Sequence, residues 1–244
     1  MYYDWVRWRS VLYSEGVIRV EYIKGTFLRE QKTRFLCDVV VDNKDVECYI
    51  PVSCKISKLV DLTGKEVVLQ PVENINARTK FSVYAARLGK YYVLLNLAEA
   101  NRVLEAQLQR RYFSFLGKRK KIYREKVIEG YKTDLYIDDT NTLIEVKTLL
   151  SFDEEGKFPS MTSVRAEQQL EKLSELLDKG YKVIYIVMSL NPKVKSIVLN
   201  NDYGRYCQLF RACLDKGMKV KGFSIRLKDM RPEIYSRINF YEKQ

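Results

Sequence analysis

The sequence predicts a two-part protein of the α+β or α/β class, in which a small N-terminal β-barrel (residues 1–88) precedes an α/β layered domain (residues 89–244). Short alternating segments separated by turn residues predict the barrel, at residues 17–23, 35–41, 46–50 and 66–71. A short helix is predicted near residues 53–60. Five or so short strands with one helix fit an OB-like barrel, although other small β architectures remain open.

The second part alternates between helix and strand patterns. Leu97, Asn101, Leu104 and Leu108 have the spacing of a helix. A β-hairpin is predicted over residues 132–148, followed by a helix at 163–179, an apolar strand at 182–190, a helix at 203–216 and a strand at 219–227. Gly180 and Gly217 fall where helices commonly end. This order of elements is typical of a layered α/β domain.

Composition excludes several kinds of chemistry. The chain has no histidine, so catalysis would depend on carboxylates, lysines or hydroxyls, and carboxylates favour hard cations such as Mg²⁺ or Mn²⁺. Its five cysteines include no close Cys-x-x-Cys pair, which argues against a disulfide framework and a structural zinc site. No apolar run is long enough to span a membrane and no signal-peptide pattern begins the chain, so we expect a cytoplasmic protein with no membrane partner.

Charge points to a polyanionic partner. The net charge is +12, of which +3 belongs to residues 1–88 and +9 to residues 89–244. Nucleic acid is the commonest polyanion that a basic protein meets, so DNA or RNA is the expected partner. Oligomeric state is left open by the sequence.

The predicted hairpin carries the chemical site. If residues 139–140 form its turn, facing positions sum to 279, and Asp134 lies opposite Glu145. Strand alternation places Lys147 on the face of Glu145 and directs Leu135, Ile137, Ile144 and Val146 to the other face, toward the core. Two facing carboxylates repel unless a cation lies between them, so Asp134 and Glu145 are predicted to bind Mg²⁺ or Mn²⁺, with Lys147 beside the ion.

A simpler interpretation treats these three residues as solvated charges on an exposed face. A register slip of one residue would also move one acid to the opposite face. The flanking strand pattern favours the metal site over both alternatives.

An acid followed across a β-hairpin by Glu-x-Lys resembles the PD-(D/E)xK nuclease signature, and the order of elements resembles the αβββαβ core of restriction-endonuclease-like domains. The chain further resembles the sugar fermentation stimulation protein family, through Phe158, Pro159, Arg165, Leu170, the Ile144–Lys147 motif, Lys24-Gly25-Thr26-Phe27 and Ala100-Asn101-Arg102. The resemblance implies an OB-like nucleic-acid-binding domain followed by a metal-dependent nuclease domain. The family pattern F-P-D-A…T-E-R-G-x-K-H-L is altered here around Ser160, Val164 and Gln168, which affects substrate positioning more than the acid pair.

The resemblance also suggests accessory residues. A first-helix glutamate often completes the metal shell in this superfamily, which makes Glu105 the third candidate ligand and Glu125 its competitor. Arg165 is predicted to contact a phosphate. Gln168 could contact a phosphate or a metal-bound water, although a polar helix face explains it as well.

Residues 109–126 contain eight basic residues and one acid, with aromatic residues between them. Basic residues follow phosphates and rings stack on unpaired bases, so this run is a candidate nucleic-acid-binding segment close to the metal. The alternative is a solvated connector. The candidates in it are Arg110, Arg111, Lys118, Arg119, Lys120, Lys121 and Arg124.

Three hypotheses follow. The chain is predicted to be a metal-dependent nuclease that hydrolyses phosphodiester bonds in DNA or RNA. The second hypothesis is a nucleic-acid-binding regulator with a vestigial metal site, and the third is a basic protein-interaction module.

Overall fold

A computed structural model describes residues 22–33, 35–52 and 54–242, which form two compact units. The first unit contains the described residues up to Ala98 together with Arg226–Glu233, and the second contains Glu99–Ile225 and the described residues from Ile234 onward. We predicted the division after residue 88, and the first unit extends beyond that point to Ala98. Within the described residues, no helix has the length and apolar character needed to cross a membrane.

The first unit is a closed five-stranded barrel with one added strand. Its strands are β1 (Ile23–Glu30), β2 (Leu36–Val41), β3 (Lys44–Tyr49), β4 (Glu66–Pro71), β5 (Phe81–Leu88) and β6 (Tyr91–Leu94). The barrel closes because β3 pairs in parallel with β5, which gives the ring β1-β2-β3-β5-β4, and β6 extends from β5. A 3₁₀ turn, Ile56–Lys58, lies between β3 and β4 where a short helix was predicted.

The OB-like barrel is therefore confirmed, with differences in its strands. The strand predicted at residues 17–23 falls largely outside the described residues, and β1 begins at Ile23. Strands β5 and β6 were not predicted.

Gly25 on β1 has no space for a side chain. It pairs with Val67 on β4, and a Cβ atom at this position would lie 2.6 Å from Val39 Cγ1 and 2.9 Å from the backbone oxygen of Val40. We expect Gly25→Ala to destabilise the barrel by about 1–3 kcal/mol, because the barrel wall must shift to admit the methyl group. Thermal and urea unfolding measure this change.

Gly204→Ala is the matched control, because nothing lies within 4 Å of its Cβ position and its φ is not in the left-handed region. It is expected to leave stability unchanged or slightly increased. Equal effects of the two substitutions would contradict the steric explanation.

The second unit is built on an eight-stranded mixed sheet in the order β12-β14-β16-β15-β13-β11-β10-β7. Its strands are β7 (Ile122–Arg124), β10 (Leu135–Ile137), β11 (Thr142–Leu149), β12 (Glu155–Phe158), β13 (Lys182–Ser189), β14 (Ser196–Leu199), β15 (Lys219–Lys228) and β16 (Arg231–Tyr241). Strands β8 (Val127–Ile128) and β9 (Tyr131–Lys132) form a separate short ribbon. The helices are α1 (Glu99–Gln107), α2 (Val164–Asp178) and α3 (Gly204–Asp215).

The predicted helices and the strands at β11, β13 and β15 are confirmed, and strands β7, β12, β14 and β16 were missed. Strand β11 pairs in parallel with β13, which pairs in parallel with β15, while β10 joins β11 antiparallel. Helix α2 begins at a Ser163 N-cap, whose hydroxyl accepts a hydrogen bond from the Ala166 amide.

Helices α2 and α3 pack on one face of this sheet. The apolar cluster between them includes Leu143 and Leu149 of β11, Leu170 and Leu173 of α2, and Phe210 of α3. The Phe210 ring lies within 6.4 Å, centroid to centroid, of the rings of Phe158, Tyr185, Tyr206 and Phe240. This cluster holds α2 against the sheet that contains β11, the strand that carries Glu145 and Lys147.

Candidate metal centre

The hairpin formed by β10 and β11 has the predicted register. Leu135 pairs with Ile144 and Ile137 pairs with Thr142, so that facing positions sum to 279. The turn is a 3₁₀ segment, Asp138–Thr140, followed by Asn141 in the left-handed conformation (φ 49°). Extended by one residue, this register places Asp134 opposite Glu145, and the slipped register is excluded.

The Asp134 carboxylate is held at the edge of β11. Its Oδ2 accepts a hydrogen bond of 2.8 Å from the backbone N–H of Val146. Its Oδ1 accepts a longer one, 3.4 Å, from the side-chain amide of Asn101 on α1. Because a carboxylate oxygen has two lone pairs, both oxygens can still bind a cation.

Glu145 is buried, with 3% of its surface exposed. Its Oε1 lies 2.6 Å from Lys147 Nζ, and its Oε2 accepts a 2.6 Å hydrogen bond from the Tyr131 hydroxyl. Burial raises the pKa of Glu145 above 4.5, and the charge of Asp134 raises it further, whereas Lys147 and Tyr131 act in the opposite direction. The effect of Asp134 indicates that the two carboxylates lie close enough to repel.

The exposed polar face considered as the simpler alternative is wrong for Glu145. Leu143 and Tyr136 lie on the same side of the hairpin and are buried in the cluster beneath α2. Leu135, Ile137, Ile144 and Val146 are buried on the other side, as predicted. Both faces of the hairpin are therefore covered at Glu145, whereas Asp134 is only half-buried.

Lys147 is held between an acid and an amide. Its Nζ donates to Glu145 Oε1 at 2.6 Å and to Gln169 Oε1 on α2 at 3.0 Å. Sequence reasoning singled out Gln168, which is exposed, and missed Gln169. The spacing of Gln169 with Leu173 and Leu176 would have placed it on the inner face of α2.

The third candidate ligand is not brought to the pair. Glu105 lies one helical turn after Asn101, but its Oε2 pairs with Arg124 Nε at 3.3 Å. Arg124 is placed there because it lies opposite Leu135 in the pairing of β7 with β10. The competitor Glu125 is exposed and pairs with Lys132 at 2.6 Å.

Among residues 22–33, 35–52 and 54–242, no three Asp, Glu, His or Cys side chains are grouped to hold a metal ion. The described part of the chain thus offers two carboxylates, Asp134 and Glu145, rather than three. This donor set fits a hard divalent cation that keeps several waters, because Mg²⁺ usually takes only one or two carboxylates from the protein. A cation bound between the two carboxylates would relieve the repulsion between them.

The predicted basic residues divide into two groups. Arg119 donates to the backbone oxygens of Leu108, Gln109, Arg110 and Gly117, so its guanidinium ties the end of α1 to the following loop. Its guanidinium is therefore already engaged within the protein, and its assignment as a nucleic-acid contact stays a prediction. Lys118 pairs with Asp139 at 3.3 Å and Arg124 with Glu105, whereas Arg110, Arg111, Lys120 and Lys121 are exposed.

Arg165 is exposed on the first turn of α2. Burial and the charge of Glu145 raise the pKa of the Tyr131 hydroxyl, and the charge of Arg165 opposes them. The contact of Arg165 with a phosphate stays a prediction.

Comparison with known proteins is consistent with this architecture. Residues 98–231 match the family described as "Sugar fermentation stimulation protein RE domain". The chain is 27% identical over 176 residues to a sugar fermentation stimulation protein homolog of Clostridium botulinum, covering 69% of this chain and 75% of that protein. It is 24% identical over 220 residues to the homolog of Saccharolobus solfataricus, covering 87% and 85%.

A solved structure has the same fold. The structure of Pyrococcus furiosus SfsA in complex with Ca²⁺ matches with a TM-score of 0.76 and 14% identity, covering 97% of this chain and 99% of that one. The match of a family model to more than half of the chain, over the unit that carries Asp134, Glu145 and Lys147, is decisive. The chain belongs to the sugar fermentation stimulation protein family.

Proposed function

We propose that this protein is a metal-dependent nuclease that hydrolyses phosphodiester bonds in DNA or RNA. The observation that carries the proposal is that the Asp134 carboxylate, held by the backbone N–H of Val146, lies beside Glu145, whose Oε1 is 2.6 Å from Lys147 Nζ. Opposed carboxylates beside an ammonium suit the binding of a divalent cation next to a phosphate.

Each residue has a role in this proposal. Asp134 and Glu145 hold Mg²⁺ or Mn²⁺, which when bound lowers the pKa of a water ligand and polarises the phosphate. Lys147, fixed by Glu145 and Gln169, orients the attacking water and stabilises the negative charge that develops on the phosphate. Arg165 contacts a phosphate from the first turn of α2.

Two further points support the cation. The P. furiosus structure is in complex with Ca²⁺, a hard cation that takes oxygen ligands, as Mg²⁺ and Mn²⁺ do. The burial of Glu145 beside Asp134 makes two negative charges costly, and Lys147 supplies only one positive charge against them. The net charge of +12 favours nucleic acid as the substrate.

Labelled single- and double-stranded DNA and RNA, incubated with Mg²⁺, Mn²⁺ or EDTA, test the proposal. We expect cleavage of at least one substrate with Mg²⁺ or Mn²⁺, none with EDTA, and none by Asp134→Asn. Cleavage in EDTA would contradict it. Tight binding of all substrates without cleavage in either metal would favour the regulator with a vestigial site.

The pH dependence of metal binding follows from Glu145. Because its pKa is raised above 4.5, the carboxyl stays protonated to a higher pH than an ordinary glutamate, and metal binding is expected to be lost on acidification while an exposed glutamate would still be charged. Tyr131→Phe removes a donor that lowers this pKa, so the loss should occur at still higher pH. Calorimetric titration with Mn²⁺ across a pH series measures both effects.

Tyr136→Phe is the control for the phenol, because its hydroxyl donates to Asn141 in the same hairpin and not to Glu145. It should leave the pH of metal loss unchanged. If Tyr131→Phe lost metal binding at lower pH than the unaltered protein, the role assigned to the Tyr131 hydroxyl would be contradicted.

A further inference from the structure

Two hollows that share Arg237 lie on the sheet face opposite α2 and α3, and together they form what we call the groove. It lies between the 3₁₀ segment Arg111–Leu116 and strands β15 and β16. One end is a hollow of about 700 Å³ lined by Arg110, Arg111, Tyr112, Ser114 and Arg237. The other end, of about 480 Å³, includes Phe115, Lys221, Arg237 and Tyr241 in its lining, so that Arg237 belongs to both.

Strand alternation separates this groove from the acid pair. Val220, Ile238 and Phe240 belong to the cluster beneath α2 and α3, so their neighbours Lys221, Arg237 and Tyr241 point to the other face. The ring of Phe113 lies 5.1 Å from that of Phe223, which holds the 3₁₀ segment on this second face. Glu145 shares its face with Leu143 and Leu149 of the cluster, and the groove is therefore a separate surface.

The groove carries unneutralised positive charge. Within the described part of the chain, Arg110, Arg111, Lys221 and Arg237 have no carboxylate at ion-pair distance, in contrast to Lys118 and Arg124 nearby. Arg237 donates to the Tyr112 backbone oxygen at 2.6 Å, which fixes its guanidinium at the junction of the two hollows. Lys221 Nζ lies 5.6 Å from the centroid of the Phe115 ring.

Two exposed tyrosine rings lie beside these basic side chains. Tyr112 is 42% exposed and Tyr241 is 48% exposed, although large aromatic side chains are usually more buried. We propose that this groove is a binding site for single-stranded nucleic acid, in which Arg110, Arg111, Lys221 and Arg237 contact phosphates and Tyr112 and Tyr241 stack on bases. A ring can stack in this way only on a base that is not enclosed in a duplex.

The site extends the proposed function and does not depend on cleavage. It holds a strand away from the acid pair, and it replaces the idea that residues 109–126 act as one binding segment beside the metal. Arg119, Lys118 and Arg124 are engaged within the protein, while Lys221, Arg237 and Tyr241 come from strands that sequence analysis did not connect with binding.

Fluorescence anisotropy with a labelled oligothymidylate, in EDTA, tests the charges. Arg111→Gln/Lys221→Gln should weaken binding about tenfold at 0.1 M salt and lower the slope of log K against log salt by about 1.4, because each lost phosphate contact with a single strand removes about 0.7. The control Lys157→Gln/Lys193→Gln removes two exposed lysines outside the groove and should leave the slope nearly unchanged. Equal losses in both variants would overturn the proposal.

A second pair of variants tests the rings. Tyr112→Leu should weaken binding of the single strand roughly tenfold, because stacking on one base is lost. Tyr123→Leu is the matched control, since Tyr123 is 44% exposed on β7, outside the groove, and already has Lys126 Nζ 4.4 Å from its ring centroid. Equal effects of both tyrosines, or tighter binding of a duplex of the same length, would overturn the proposal.

The outcomes separate the groove from the metal centre. Binding that depends on Arg111, Lys221 and Tyr112 in a protein that cleaves nothing would support the groove and contradict the proposed nuclease. Cleavage, together with nucleic-acid binding that does not depend on these residues, would support the proposed nuclease and contradict the groove. Polyglutamate that displaces the oligonucleotide from the groove at equal concentration would indicate an acidic protein partner and overturn the choice of ligand.

Discussion

Glu145→Gln is expected to reduce cleavage by more than about a hundredfold while the protein stays folded. Glutamine keeps the size of the side chain, and its one oxygen can accept from Lys147 while its amide group donates to the Tyr131 hydroxyl, but it removes the negative charge that we propose binds the cation. Replacement of groups that only support a metal ligand already costs about 10- to 100-fold in many metal sites, so loss of a ligand should cost more. Single-turnover cleavage and calorimetric Mn²⁺ titration measure the two losses together.

The variant Glu129→Gln controls for the loss of an acid paired with a lysine. Glu129 lies 2.8 Å from Lys179, and both side chains are about half exposed. It should change neither cleavage nor metal affinity, because a solvated pair contributes little. Undiminished cleavage by Glu145→Gln would rule out the metal centre that we propose.

Phe210→Ala is expected to destabilise the second unit by about 3–5 kcal/mol, the usual cost of removing a buried phenyl ring. Phe210 is fully buried and its ring contacts four other aromatic rings between α3 and the sheet. The cavity would loosen α2 over β11, so the contact between Gln169 and Lys147 should weaken as well. Thermal unfolding followed by far-ultraviolet circular dichroism measures the stability.

Gln208→Ala, on the exposed face of α3, is the control for that helix. A change within about 0.5 kcal/mol is expected at such a surface position. Destabilisation of similar size in both variants would contradict the aromatic cluster as the cause, because alanine favours the helix at both positions.

Local patterns predicted the β10–β11 hairpin and the helices. The register of the hairpin depends on the turn and on alternation alone, and both are contained in residues 132–148, so Asp134 could be placed opposite Glu145 without tertiary information. The same is true of α2 and α3, whose apolar residues recur at helical spacing and whose ends carry glycine.

The tertiary surroundings of the site could not be obtained in this way. Glu145 is buried in contact with the Tyr131 hydroxyl, and the contact of Lys147 with Gln169 joins β11 to α2. Arg119 belongs to a run that looks solvated, and only the folded chain brings four backbone oxygens to its guanidinium. Strand β12, with only four residues, carries too short an alternation to be recognised.

The position of β16 between β15 and β14 has a consequence for biosynthesis. Strands β12 and β14 join the large sheet through β16, which the ribosome adds after both. Until then they can pair only with each other, and an isolated two-stranded ribbon is marginally stable in water. The nascent chain can therefore pair the hairpin that bears Asp134 and Glu145 with β13 and β15 before β12 and β14 have a strand through which to join the sheet.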